Sequence, residues 1–351
     1  MNYFAIVPLT ALFLVASLGP ALSQATADDQ VRMRPTGSAK GTISLMTSTE
    51  IALDMAAGQK KQIPVNEIDA VIYEGEPPEI KLVRSEIAND NFEAAAKKLD
   101  KIDAAKITRA EIKQDIAFYK ALCHARLALA GNGDVRKAGS QMWGFVKENS
   151  TNYHYLQGVE LLGDLFAANR SLDEALQQYA IVERAPWPEY KTRAGIAKGQ
   201  VLVLQKKYPE ALAAFESVMK QLGDDNGKTA TAQKLAAQLG KANCLAATGE
   251  ADTALQLVQQ VIDNADPEDV DLSARAYLTL GNCYRQKKDS TTDAYMAYLH
   301  VDLLYSKNRE AHAEALSNLA RLCNDMGKPE RALQAAQTLK DRYANSIWAR
   351  Q

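Results

Sequence analysis

Aromatic side chains are scarce in this chain of 351 residues: Phe, Trp and Tyr together make 7%. Gly and Pro are also few, at 19 and 11, whereas Ala, Leu, Gln and Lys abound, a composition that favours helices. Neither charge is in excess: 41 Lys and Arg face 43 Asp and Glu, giving a formal net charge of -2 and a pI near 6.2. That balance argues against nucleic acid as a main partner, because phosphate binding needs a basic face. The mean hydropathy of -0.28 is ordinary for a soluble protein. His124, His154, His300 and His312 are the only histidines, and none has the HExxH or HxxE spacing of a zinc site. There is no phosphate-cradling glycine loop, no nucleophile elbow and no paired-carboxylate signature. Asp28-Asp29 and Asp224-Asp225 read as solvated turns rather than calcium sites. Trp143, Trp187 and Trp348 read as packing or turn residues, with Trp187, between two prolines, as a lid over a helix end. These absences leave no cofactor, metal or catalytic residue to expect.

Long apolar runs are absent except at the start. Phe4 to Leu18 carries no charge, Pro20 breaks it, and Ala21-Leu22-Ser23 has small residues at a signal-peptidase spacing. Residues 1–23 therefore read as a secretory signal, cleaved after Ser23 or after Ala25 or Ala27, which sends the protein to the periplasm or medium. No Lys or Arg precedes the run, and an uncleaved membrane anchor is the alternative. The run falls short of the ~20 residues a spanning helix needs. No cysteine follows it to carry a lipid. The four cysteines are Cys123, Cys244, Cys283 and Cys323. Three of them sit at equivalent places in consecutive repeats. Stacked helices lie about 8–10 Å apart, beyond the ~7 Å Cα limit for a bridge, so buried free thiols are expected.

Residues 24–30 read as a polar linker. From Val31 to Glu76 the pattern differs from everything after it. Gly41-Thr-Ile-Ser-Leu-Met-Thr47, Glu50 to Met55, Gln62 to Val65 and Ile68 to Tyr73 alternate with period two between turn residues. With Val31 to Arg34 they predict a small antiparallel module of five short strands, 31–76. Their order resembles SH3-like or Sm-like barrels, and Gly41 would permit a sharply bent strand. Glu74-Gly-Glu-Pro-Pro78 breaks the chain into a second domain.

From residue 79 a phrase returns: an acidic or polar pair, Ala, Leu, then an apolar residue four places after the Ala. It reads Phe92-Glu93-Ala94-Ala95, Asp173-Glu174-Ala175-Leu176, Pro209-Glu210-Ala211-Leu212, Asp252-Thr253-Ala254-Leu255 and Glu330-Arg331-Ala332-Leu333, with weaker copies at Ala138 and Ala294. Steps of about 36–43 residues with helical patterning predict an α-solenoid of about seven helix pairs over 79–346, with a tail at 347–351. In four units the small residue of the first helix precedes this Ala by twelve: Gly163, Gly199, Ala242 and Ala320. Small residues at both crossings let two helices approach closely.

Leu162-Gly163, Phe166, Ala175, Tyr179 and Pro186, and likewise Tyr277, Leu280-Gly281, Tyr284, Ala294 and Tyr298, resemble the tetratricopeptide family. The resemblance implies a mainly α, right-handed solenoid that binds a protein or peptide on its concave face. Ala313 to Ser346 resembles periplasmic assembly and cell-division helpers built on these repeats. The exported β module with divergent repeats resembles secreted repeat proteins of planctomycete-like bacteria.

Helical spacing places Glu160, Asp164, Arg193, Gln200, Asn243, Arg275, Asn282, Arg285, Arg321 and Asn324 on that face. Of these, Asn243, Arg275, Asn282, Arg285, Arg321 and Asn324 are the expected partner-binding residues, with the arginines set to attract an acidic segment. A full clasp for a chain-terminal carboxylate needs a base one turn before each Asn, where Leu239 and Leu278 stand. The expected role is an exported, non-enzymatic scaffold or adaptor in an envelope complex. The alternatives are a homo-oligomeric structural protein, capped through exposed Tyr343, Ile347 and Trp348, or an enzyme with an unrecognised site.

Overall fold

The computed structural model describes residues 28–350. The expected signal segment, 1–23, and the adjoining residues 24–27 lie outside the described residues. Five strands come first: β1 (Asp29–Met33), β2 (Ser38–Met46), β3 (Glu50–Asp54), β4 (Lys60–Pro64) and β5 (Ile68–Ile72). They form one antiparallel sheet in the order β4-β3-β2-β1-β5. β1 thus opens inside the stretch expected to be linker. The barrel-like closure expected from the strand order does not occur, since β4 and β5 are the two edges. β2 pairs with β1 up to Gly41 and with β3 from Thr42 onward. Gly41 is the pivot between these halves: a Cβ there would lie 2.5 Å from the Asp54 carbonyl oxygen.

Fourteen α-helices follow among the described residues and pack as seven antiparallel pairs. They are α1 (Pro78–Ala88) with α2 (Phe92–Leu99), α3 (Ala110–Leu129) with α4 (Val135–Glu148), α5 (Tyr155–Ala168) with α6 (Leu172–Val182), and α7 (Pro188–Leu204) with α8 (Tyr208–Leu222). Then come α9 (Lys228–Ala247) with α10 (Ala251–Asn264), α11 (Val270–Gln286) with α12 (Thr291–Leu304), and α13 (Arg309–Asp325) with α14 (Pro329–Tyr343). Residues 347–350 add one 3-10 turn on α13 and α14.

The repeated alanine has the same place in every unit. Ala95, Ala138, Ala175, Ala211, Ala254, Ala294 and Ala332 are each the fourth residue of a second helix, and all are buried. Each donates its N–H to the carbonyl four residues earlier, at the helix cap. A small residue here lets the helix enter close beside its partner. The turn before it carries one residue of positive φ in every pair: Asp90, Gly131, Arg170, Lys206, Gly249, Asp289 and Gly327. That residue ends the first helix, and in most pairs the next N–H bonds back five residues, as from Ser171 to Phe166 and Lys328 to Cys323.

The sheet is bolted to the solenoid by buried charge. Asp29 is 2% exposed, so the expectation of a solvated turn at Asp28-Asp29 is corrected. Its carboxylate accepts from Arg109 Nη1 and Nη2 at 2.6 and 2.7 Å, and from the backbone N–H of Glu74 at 2.9 Å. Burial opposes ionisation of Asp29, but these donors prevail and hold its pKa below the usual value. Deeper in, Asp115 of α3 is fully buried and accepts from the hydroxyls of Tyr73 and Tyr153 at 3.3 and 3.2 Å. The nearest cation, Arg84, is already held by Glu76. Burial therefore pushes Asp115 up to about 7, with Glu76 adding to it and Arg84 and the two tyrosines opposing.

A carboxyl raised in the folded state stabilises the fold below its unfolded pKa, and that contribution is lost as pH rises through the folded value. The Asp115 contribution is thus expected to fall by up to about 4 kcal/mol between about pH 4 and pH 7, against an opposite rise from His154, whose imidazole burial holds neutral down to about 3. Urea midpoints measured across that range check this. Asp115→Asn should flatten the decline, and an unchanged slope in that variant would refute the assignment.

Candidate functional site

The first helices α3, α5, α7, α9, α11 and α13 pack successively against one another and line the inner side of the solenoid. Three glycines on them give second-helix rings a route to that side. A Cβ on Gly163 would lie 2.6 Å from the Tyr179 ring, on Gly199 2.6 Å from Phe215, and on Gly281 2.5 Å from Tyr298. With no Cβ in the way, each ring lies across its helix. The Tyr179 hydroxyl then donates to Asp164 at 2.7 Å and the Tyr298 hydroxyl to Asn282 at 2.6 Å. Asp164 and Asn282 directly follow their glycines, so one packing device orients two inner polar side chains.

Three of the residues expected to bind a partner meet here. Asn282 also donates to Glu314 at 3.5 Å. Arg285 Nη1 and Arg321 Nη2 converge on the amide oxygen of Asn318, at 2.6 and 3.2 Å. Asn318 is 2% exposed, whereas both arginines are exposed. No carboxylate forms an ion pair with either arginine among the described residues. Asn243 stands apart and donates to Thr279 at 3.4 Å. Arg275 and Asn324 are exposed and lie outside the hydrogen-bonded cluster. Gln200 is exposed beside Gly199, where Phe215 offers no hydroxyl to hold it. Leu239 and Leu278 are buried, so the bases that a carboxylate clasp needs are absent.

Sequence reasoning missed Glu310, Glu314 and Asn318. Their spacing of four, continued by Arg321, puts them on one face of α13, and that periodicity was the available signal. The carboxylates of α5 and α13 confront each other. Burial pushes Asp164 up to about 7, with Glu160 and Glu310 adding to it and Tyr179 and Arg126 opposing. Burial likewise pushes Glu314 up to about 7, with Glu310 adding to it and Asn282, Arg321 and Arg285 opposing. Glu160 is paired with Arg193 at 2.7 Å, whose guanidinium lies 4.4 Å from the Tyr190 ring centre.

The other candidate chemistry is structural. His312 is fixed between Tyr343 at 2.6 Å and Asp302 at 2.7 Å, and His154 stacks on Phe118. All four cysteines are buried and unpaired. Burial pushes the thiols of Cys123 and Cys283 up to about 12 and that of Cys244 to about 11, far from a reactive thiolate. Among the described residues no group of His, Cys, Asp and Glu could hold a metal ion. No helix there is long and apolar enough to cross a membrane. Trp187 caps the start of α7 and packs on Tyr190, while Trp143 is half exposed on α4.

No protein-family model and no curated protein sequence matches this chain. Solved structures do. A tetratricopeptide repeat protein from Parabacteroides merdae ATCC 43184 aligns with a TM-score of 0.51 at 14% identity, over 76% of this chain and 96% of that one. A Rap protein complexed with competence and sporulation factor aligns with a TM-score of 0.52 at 13% identity, over 75% of this chain and 72% of that one. The fold is a helical-repeat solenoid of the tetratricopeptide type, preceded by a small antiparallel sheet.

Proposed function

We propose that this protein is an exported, non-catalytic scaffold of an envelope complex, and that its inner face holds a protein segment by a carboxylate at Arg285 and Arg321. The observation that carries the reading is the convergence of two guanidinium groups on one neutral oxygen, that of Asn318. Two like charges that no carboxylate pairs directly, with the nearby Glu314 held toward its neutral form by burial, favour an incoming anion, and a guanidinium fork suits a carboxylate. The solenoid supports the reading because a preformed groove binds an extended segment with little reordering of its own. Export rests on the apolar run and small-residue site in residues 1–23.

Selection of a random-peptide display library on the intact protein tests this. Enriched peptides should carry Asp or Glu. Their affinity should fall about 30-fold or more in Arg285→Glu/Arg321→Glu, the loss expected of a hot spot. Selected peptides that bind this variant as well as the unaltered protein would defeat the reading.

A further inference from the structure

The last pair of the solenoid is in contact with the second. Arg309, the first residue of α13, reaches the turn between α3 and α4, 179 positions away in sequence. Its Nε donates to the Ala130 carbonyl at 2.6 Å and its Nη2 to Asn132 Oδ1 at 2.6 Å. Nη2 also donates to the Arg342 carbonyl at 3.1 Å, and the guanidinium lies 4.9 Å from the Tyr343 ring centre. The Tyr343 backbone and ring come within 3.8 Å of where a Cβ of Gly131 would be. The seventh pair is thereby tied to the turn of the second, so the run of pairs from the second to the seventh closes on itself.

We propose that Arg309 is a latch, whose release parts the seventh pair from the second and admits a segment to the inner face. The admission half rests on the function proposed above; the latch does not. This contact differs in kind from those between successive pairs. Those are continuous in chain and bury apolar side chains, whereas the seam relies on one forked cation and one ring. Four carboxylates also oppose each other near it: Glu160 and Asp164 on α5, Glu310 and Glu314 on α13. The charged and titratable groups facing them are Arg126 of α3, Tyr179 of α6, Arg193 of α7, Arg285 of α11, Tyr298 of α12 and Arg321 of α13. Protonated, Asp164 and Glu314 leave the seam unstrained. Ionised above neutral pH, they repel their neighbours and load the latch.

The test places spin labels on both sides of the seam, at Arg136→Cys and Asp341→Cys. Both sites are exposed, and the native thiols are buried. With Arg309 intact, the dipolar distance distribution should be narrow near pH 6 and gain a longer, broader component near pH 8.5. Arg309→Met should show the long component at both pH values with unchanged helical circular dichroism. Asn132→Ala, which removes one acceptor from the opposite side, should fall between and serves if the methionine variant fails to fold. Asp164→Asn/Glu314→Gln should abolish the pH response. A distribution unmoved by both Arg309→Met and Asn132→Ala overturns the latch, and one unmoved by pH overturns its loading by carboxylates. Because the readout needs no ligand, a latch that responds while display-selected peptides ignore Arg285 and Arg321 would reject only the proposed function.

Discussion

Replacing Arg84 by methionine is expected to cost about 3–5 kcal/mol, the loss seen when one partner leaves a buried ion network. The Arg84 side chain is 9% exposed and serves four partners at once. It pairs with both oxygens of Glu76 at 2.7 Å, donates to the Val71 carbonyl at 2.6 Å and the Tyr119 hydroxyl at 3.1 Å, and lies 3.7 Å from Asp115. Without it, two buried carboxyl groups and an edge-strand carbonyl lose their cation. Methionine keeps much of the stem, so packing alone predicts far less. Urea unfolding measures the loss, and a value below about 1 kcal/mol would show that the junction depends on apolar contact instead. Adding Glu76→Gln and Asp115→Asn should restore part of it, a non-additivity that separates charge from packing. Hydrogen exchange should rise in β5 and α1 while α9 to α14 stay protected, because repeat arrays couple mainly through neighbours.

Phe215→Ala is expected to destabilise by a similar amount, about 3–5 kcal/mol. This ring is fully buried between two helices. A Cβ on Gly199 would lie 2.6 Å from it on one side, and a Cβ on Gly240 would lie 2.2 Å from it on the other. Gly240→Ala is the sharper experiment. Helix propensity alone favours alanine by about 1 kcal/mol, whereas forcing a methyl into a packed core costs about 1–3 kcal/mol. Here the ring has helix backbone on both sides and no room to turn, so the clash should win and the urea midpoint should drop. A more stable Gly240→Ala would mean that the contact relaxes and that the glycine is not required by the ring.

Much of the fold was legible because the repeat writes one local problem seven times. Each buried alanine marks where a second helix enters beside its partner, and Gly163, Gly199 and Gly281 mark where a ring crosses. The strands were legible too, through period-two alternation. The left-handed turn residues were less so. Three are glycines, but Asp90, Arg170, Lys206 and Asp289 carry side chains and look like any polar surface residue.

Arg285 and Arg321 could be placed on the inner face by helical spacing. Their meeting at Asn318 could not, because it depends on how far α11 and α13 are rotated toward each other. Tyr343, expected at an exposed end, is 1% exposed, since α13 and the α3–α4 turn cover it. Ile347 and Trp348 are partly buried as well.

The sequence by itself determined the local order: a strand module, then helix pairs with fixed small residues at their crossings. Those features follow from periods of two and 3.6 residues and from side-chain size, which neighbouring residues suffice to set. Only the tertiary structure decided three others: the open sheet, the burial of Asp29 against Arg109, and the closure of the solenoid by Arg309. Each joins groups 40 to 180 positions apart or depends on the summed rotation between successive units. A small change per pair accumulates along the array, so no single repeat contains the information that the seventh pair will meet the second.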